Sequence, residues 1–284
     1  MKWSSKVSGK KYVLPFGERT FLMGILNTSP DSFSGDGLGS VNDALCQAER
    51  FIKEGADILD VGGQSTRPGS SELESSVEIE RTAELIGKLT SRFDVPVSID
   101  TYKAPVAKAA IDRGAAMIND ISGGAFDPAM APLAAANECP FILMHTRGKP
   151  DTMQKGEIIY DDVVAQIEDY LSECVRKAVE AGVKKNRIII DPGIGFGKTA
   201  YHNFIILKRL RELKEMGFPL LIGVSRKSFI GKALDLPEGD RLEGTAAAVT
   251  AAILNGADII RVHDVKAMKR VALIADAIAR GGRL

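Results

Sequence analysis

Three cysteines, three histidines and one tryptophan are all of those types that 284 residues contain. Cys46, Cys139 and Cys174 stand far apart and are odd in number. They form no CxxC pair and no disulfide framework, which points to a reducing, cytoplasmic setting. His145, His202 and His263 show no His-x-x-x-His spacing, so no zinc pattern is present. Charge of either sign is not in excess: 37 Lys and Arg balance 37 Asp and Glu. That balance argues against a general nucleic-acid or anionic-membrane binder. No apolar run approaches the ~20 residues of a membrane span. The opening "MKWSSKVSGKKYVLPFGERT" has lysines but lacks the apolar stretch of a secretory signal.

What is present is repetition. Eight short apolar runs recur at 20–27, 58–63, 96–100, 117–122, 141–146, 187–191, 220–225 and 259–264. Most lack polar alternation, as expected of parallel strands covered on both faces. Helical patterns lie between them. Over 161–181, Val164, Ile167, Leu171, Cys174, Val175 and Ala178 share one side; over 204–216, Phe204, Leu207, Leu210, Leu213 and Met216 recur three apart. Several of these segments stop at glycine, the usual left-handed cap. Strand–helix alternation repeated eight times is the grammar of a (β/α)₈ TIM barrel, whose usual size is ~250 residues. A doubly wound open sheet is the rival. The first 19 residues stand outside the repeat and suit a hairpin-like extension closing the barrel's bottom. Two long Gly/Ser/Pro-rich loops, 28–40 and 64–74, follow strand ends and read as lids.

In such a barrel, chemistry sits at the C-terminal strand ends. Each expected strand ends in a hydrogen-bonding residue: Asn27, Asp60, Asp100, Asn119, His145, Asp191, Ser225 with Lys227, and Arg261 with His263. Any one of them suits a turn or helix cap equally well; the set is more telling, because a closed barrel aims most of them at one small volume. Asp100, Asn119 and Asp191 are mainly acceptors and need N–H partners or a cation. A flat heterocycle with an amino-pyrimidinone edge supplies such partners. Met144 and Phe196 could cover its faces, although Met144 suits ordinary core packing better. Arg261 and His263, two apart on one strand face, suit phosphate oxygens, or Arg261 pairs with Asp258 or Asp264. Lys227 near Asp191 is either a structural ion pair or a donor to a ring atom. A Mg²⁺ ion bridged mainly by substrate phosphates needs only one or two protein oxygens, of which Asn27 could give one.

The stretch "DPGIGFGKT", Asp191 to Thr199, imitates a nucleotide loop. The P-loop pattern G-x-x-x-x-G-K-[ST] requires glycine at 192, where Pro192 stands. Gly193 leaves one residue too few, and "GIGFG" also misses G-x-G-x-x-G. Lys198 and Thr199 therefore read as residues that merely begin the next helix.

With these residues assembled, the chain resembles dihydropteroate synthases. The matching segments are "MGILNTSPDSFSGDG", "DVGGQSTRPGS", "SIDTYK", "INDISGG", "LMHTRGKPDTMQ", "DPGIGFGKT", "GVSRKSFIG" and "RVHDV", in family order over residues 20–265. The resemblance implies a single pterin-binding TIM-barrel domain over 1–284, with 1–19 as the extension. It implies transfer of a dihydropterin-methyl group from its diphosphate to 4-aminobenzoate, giving 7,8-dihydropteroate and pyrophosphate by an SN1-like path. Carried over by motif, Asp100, Asn119, Asp191 and Lys227 hold the pterin between Met144 and Phe196. Asn27, Arg261 and His263 bind the diphosphate, Asn27 through Mg²⁺; Asp100, Lys227, Arg261 and His263 are the catalytic set. Phe33, Thr66, Pro68 and Ser228 shape the aminobenzoate site, which sulfonamides occupy in the family. A homodimer is implied; the Ala-rich segment 244–258 suits a close-packing helix at its interface or, equally well, simple packing against the barrel. One departure is Gln64, where many members have Glu. The competing readings are a corrinoid-dependent pterin methyltransferase, which would not need the STRPG loop, and a non-catalytic pterin-binding homologue, which would have lost site residues.

Overall fold

The computed structural model describes residues 2–7, 10–28 and 40–281. Phe33 and most of the loop 28–40 lie outside them. Strands β1 (Lys2–Val7) and β2 (Lys10–Pro15) pair antiparallel as a hairpin. Eight parallel strands follow: β3 (Phe21–Asn27), β4 (Ile58–Gly62), β5 (Val97–Asp100), β6 (Met117–Asp120), β7 (Phe141–Met144), β8 (Ile188–Asp191), β9 (Leu221–Ile222) and β10 (Ile259–Val262). Their order is β8-β7-β6-β5-β4-β3-β10-β9. The ring closes through an Ile190–Leu220 bridge, where Ile190 N–H donates to Pro219 O at 2.9 Å. A closed ring rules out the open doubly wound sheet.

The missing polar alternation has a direct cause. Successive strand side chains point to opposite faces, and both faces are covered. Outward residues such as Leu22, Leu59, Val61, Ile99, Leu143 and Ile190 belong to one core shared with the surrounding helices. Inward Met23, Ile58, Met117, Ile142, Ile189, Leu221 and Ile259 form a second core inside the barrel. The hairpin closes that inner core from below. Tyr12, Leu14 and Phe16, each two apart, point into it, while intervening Val13 is 48% exposed. Burying each contributes about 2 kcal/mol, and among the described residues the barrel's interior is covered at its bottom and faces outward at the C-terminal mouth.

Two elements differ from expectation. β9 spans two residues rather than six, because the chain leaves the sheet before a left-handed turn at Arg226, φ 57°. The segment expected as one helix over 204–216 is two, Ala200–Lys208 and Leu210–Lys214, broken at Arg209. Residues three apart drift around a 3.6-residue helix. Phe204 is accordingly 46% exposed while Leu207, Leu210 and Leu213 are buried. The helix Val163–Glu180 buries the expected stripe except Val175, which is half-buried, and Asp162 caps it by accepting from Val164 N–H and Ala165 N–H.

Candidate active site

Strand register sets the site. Asn27 lies beside Gly62, Gly62 beside Asp100, and Asp100 beside Asn119. Gly62 leaves an opening in this row: a Cβ there would sit 3.6 Å from Asn27 Oδ1 and 3.7 Å from Asp100 Oδ2. Arg261 reaches across from β10. Its Nε donates to Asp60 Oδ2 at 2.6 Å and its Nη2 to Asp100 Oδ2 at 2.7 Å. Asn119 Nδ2 donates to the same Asp60 oxygen at 3.1 Å. Asp60 is fully buried and central, although sequence reasoning gave it no role beyond ending a strand. Its signal was the inward phase it shares with Ile58 and Gly62. Arg261 does not pair with Asp258 or Asp264. Lys214 holds Asp258, which precedes the strand at the barrel's bottom, and Arg226 holds Asp264 at 2.7 Å.

Asp60 Oδ1 and Asp100 Oδ1 are buried with no hydrogen-bond partner among the described residues. Two acceptor oxygens withheld from water are costly unless a ligand N–H arrives. Burial pushes the Asp100 carboxyl above the usual range, and Arg261 pulls it back down. Burial also raises Asp191, opposed by the Gly193 N–H, which donates to Asp191 Oδ1 at 2.7 Å.

The ends of β5, β6 and β7, with the turn after β8, supply the apolar wall. Met144 packs with Tyr102 and Ile121, and half-buried Phe196 covers that cluster. Lys227 Nζ lies 4.6 Å from the centre of the Phe196 ring. Rather than bonding Asp191, it donates to the Ile194 carbonyl. Burial lowers Lys227 to about 8, while Asp191 works against that shift. Ser225 and Lys227 both line the site, brought there across the left-handed turn at Arg226, which borders it as well. Thr199 begins a helix, its hydroxyl accepting from His202 N–H at 3.2 Å. Lys198 does not merely begin that helix: it is 4% exposed, folded back into the turn.

These groups border a cleft of about 380 Å³. It is lined by Asn27, Thr66, Pro68, Asp100, Phe196, Lys227, Ser228, Arg261 and His263, among others. Asn119, Met144 and Asp191 are buried beside it rather than lining it. Arg67 and Glu238, neither singled out from sequence, pair at 2.8 Å and join the loop 64–74 to the far rim. Gln64 anchors that loop's base. Its amide donates to Tyr102 OH at 2.7 Å, and its carbonyl accepts from Lys103 Nζ at 2.6 Å and Leu73 N–H at 3.1 Å. Lys103 also meets buried Glu78 at 2.8 Å. A neutral amide thus leaves one lysine to one carboxylate. A larger hollow, about 690 Å³, lies between Cys46 and Arg270, but no residue lining it is buried.

His263 is a neutral ring, not a cation. Burial first, then Arg261, lowers it to about 3, and its Nδ1 lies 3.0 Å from Ser225 Oγ. His145 is lowered to about 2 by burial and Lys198. Neither should titrate between about pH 5 and 8, whereas a free imidazole changes charge near 6.5. Ring NMR shifts of the two histidines should stay flat across that window; a midpoint near 6.5 for His263 would place it in an open, hydrated site.

A family profile described as pterin binding enzyme matches residues 23–263. The chain is 49% identical over 267 residues to a dihydropteroate synthase of Synechocystis sp., covering 93% of this chain and 92% of the relative. It superposes on a Yersinia pestis dihydropteroate synthase solved with a sulfonamide drug, with TM-score 0.93, 39% identity, and 99% and 100% of the two chains covered. A Coxiella burnetii dihydropteroate synthase in complex with pteroic acid gives TM-score 0.88 and 36% identity, covering 99% and 100%.

Proposed function

The chain belongs to the pterin-binding enzymes and, among them, to the dihydropteroate synthases; from that membership we propose how its cleft makes dihydropteroate. The observation that carries the proposal is the unpartnered buried oxygen Asp100 Oδ1 in the wall of a cleft that Phe196, Lys227 and Arg261 also line; the second unpartnered oxygen, Asp60 Oδ1, is fully buried and does not line that cleft. Asp100 meets the pterin's N–H edge from the cleft wall, Lys227 donates to the ring, and Asn119 and Asp191, buried beside the cleft, take the rest of that edge once the ring seats between Phe196 and Met144. Arg261 spends two of five donors on carboxylates, and the others, with the neutral His263 N–H, meet diphosphate oxygens. Thr66, Pro68 and Ser228 shape the aminobenzoate end.

The site's donor set fits Mg²⁺ in one respect: Asn27 places a side-chain oxygen beside Asp100 at the cleft. A hard cation held mainly by phosphate and water asks for little more. When bound, it would neutralise charge on the departing diphosphate. The residues do the rest. Loss of diphosphate from the pterin methylene breaks a C–O bond and leaves a cation delocalised into the ring, which Asp100 favours electrostatically. The weakly basic aryl amine forms the new C–N bond, loses a proton and needs placement more than activation. Incubation with dihydropterin-methyl diphosphate, 4-aminobenzoate and Mg²⁺ should yield a product with the mass of 7,8-dihydropteroate. Methyl transfer to a corrinoid protein, or pterin binding with no product, would reverse the proposal.

We take the whole chain as one folding unit, capped below by its hairpin and working in the cytoplasm, where its three free cysteines stay reduced. No helix among the described residues is long and apolar enough to cross a membrane. The same proposal includes a homodimer. The Ala-rich helix Leu242–Leu254 spends Ala248, Val249, Ala252 and Ile253 on the core. Its neighbour, the helix Val265–Arg280, exposes Leu273, Ile274 and Ile278 at 49%, 60% and 65%. A row of that kind marks an association surface. Sedimentation at micromolar concentration should give twice the chain mass, and Ile274→Glu with Ile278→Glu should give a monomer. A wild-type monomer would contradict it.

A further inference from the structure

The stretch Asp191–Thr199 is a phosphate loop turned inside out. A phosphate-binding loop points successive backbone N–H groups at its anion. Here five successive carbonyls each accept from a side chain. Lys198 Nζ donates to Gly193 O at 2.9 Å and to Phe196 O at 3.0 Å. Lys227 donates to Ile194 O, Gln154 Nε2 to Gly195 O at 2.8 Å, and Tyr160 OH to Gly197 O at 3.0 Å. Lys198 has a third partner, His145 Nδ1 at 2.8 Å, at the end of β7. With His145 neutral and Nδ1 accepting, the ring proton belongs on Nε2, assigned from the network. Burial pushes the Lys198 ammonium well below the usual lysine range, and Asp191 opposes this.

We propose that Lys198 is a positioning residue for the pterin pocket: it ties Gly193, Phe196 and His145 together and so fixes the Phe196 ring over the cleft. The inference rests on the reading above that Phe196 covers the pterin. Its physical basis is the number of groups left behind. Without the ammonium, Phe196 O and His145 Nδ1 lose its hydrogen bonds, and Gly193 O keeps only the Phe196 N–H at 3.1 Å, in a place poor in water. The turn must then open to rehydrate them, carrying Phe196 with it.

Two measurements on Lys198→Met and the partly donating Lys198→Gln decide the matter. Without ligand, amide exchange across 193–197 should quicken about tenfold or more, one lost hydrogen bond's worth, while β3–β6 keep their protection. By calorimetry, 6-hydroxymethyl-7,8-dihydropterin should bind about tenfold more weakly, and pyrophosphate as before. In a Phe196→Ala background the Lys198 effect on pterin should vanish, which a general loss of stability would not produce. Unchanged exchange in both variants, or an equal pterin loss with and without Phe196, would overturn the inference. Absence of dihydropterin binding by the unaltered protein would instead count against the proposed function, and the exchange result would still judge Lys198.

Discussion

Asp100→Asn should slow turnover by about two to three orders of magnitude, the scale of losing one preorganised electrostatic contact to a transition state. The substitution keeps size and shape, so the cost is chemical. Asp100 Oδ2 accepts from Arg261 Nη2, and Oδ1 stands free. An amide has only one oxygen. If that oxygen faces Arg261, an NH₂ meets the pterin's own N–H; if it faces the pterin, two donors collide at Arg261. Either arrangement leaves a buried donor unmatched, costing about 1–3 kcal/mol. The negative charge beside the developing cation is lost as well. The fold should tolerate the change, because Arg261 keeps its pair with Asp60 at 2.6 Å and the relieved dehydration of Asp100 offsets part of the unmatched donor. Steady-state rates and thermal unfolding together make the check: turnover within about threefold of wild type would remove Asp100 from the chemistry.

Gly193→Ala should be the most damaging small substitution to the fold. Gly193 has φ 67°, and a Cβ there would stand 1.9 Å from the His145 carbonyl oxygen. The left-handed conformation alone costs a non-glycine residue about 1 kcal/mol. The overlap adds far more, because the obstacle is backbone at a strand end and no rotamer change relieves it. A total above about 4 kcal/mol is expected, in the range that marks a specific structural fault. Gly156 is the control. It has φ 71°, with nothing within 4 Å of its would-be Cβ, so Gly156→Ala should cost only about 1 kcal/mol. Urea unfolding of both variants tests the pair, and similar midpoints would mean the close approach to His145 does not exist in solution.

How far the sequence disclosed this molecule depended on the range of each interaction. The eight strands were legible because parallel strands buried on both faces read as plain apolar runs. β9 was overextended because a left-handed turn at Arg226 carries no apolar signature. The helix break at Arg209 was hidden by an i+3 pattern that imitates a continuous stripe. Inward strand-end residues were partly legible from phase: Asp100, Asn119 and Arg261 are linked, through Asp60, in one buried cluster, while Asp191 is bonded to its own turn. Their partners were not, since Arg261 chooses between Asp60 and Asp264 only once the ring closes. The Arg67–Glu238 pair joins residues 171 apart, and loop placement alone creates it. The neutral state of His263 follows from burial, which no local motif encodes. Lys198 was misjudged because Gly-Lys-Thr suggested either a phosphate or nothing, and a lysine bound to its own loop's carbonyls was a third case.

The most direct test of the account is steady-state pyrophosphate release from dihydropterin-methyl diphosphate, measured with and without 4-aminobenzoate, Mg²⁺ and a competing sulfonamide. The account predicts release that requires both the amine and the metal, and that the sulfonamide suppresses in competition with the amine. Release at the same rate without 4-aminobenzoate, or none with every component present, would contradict it.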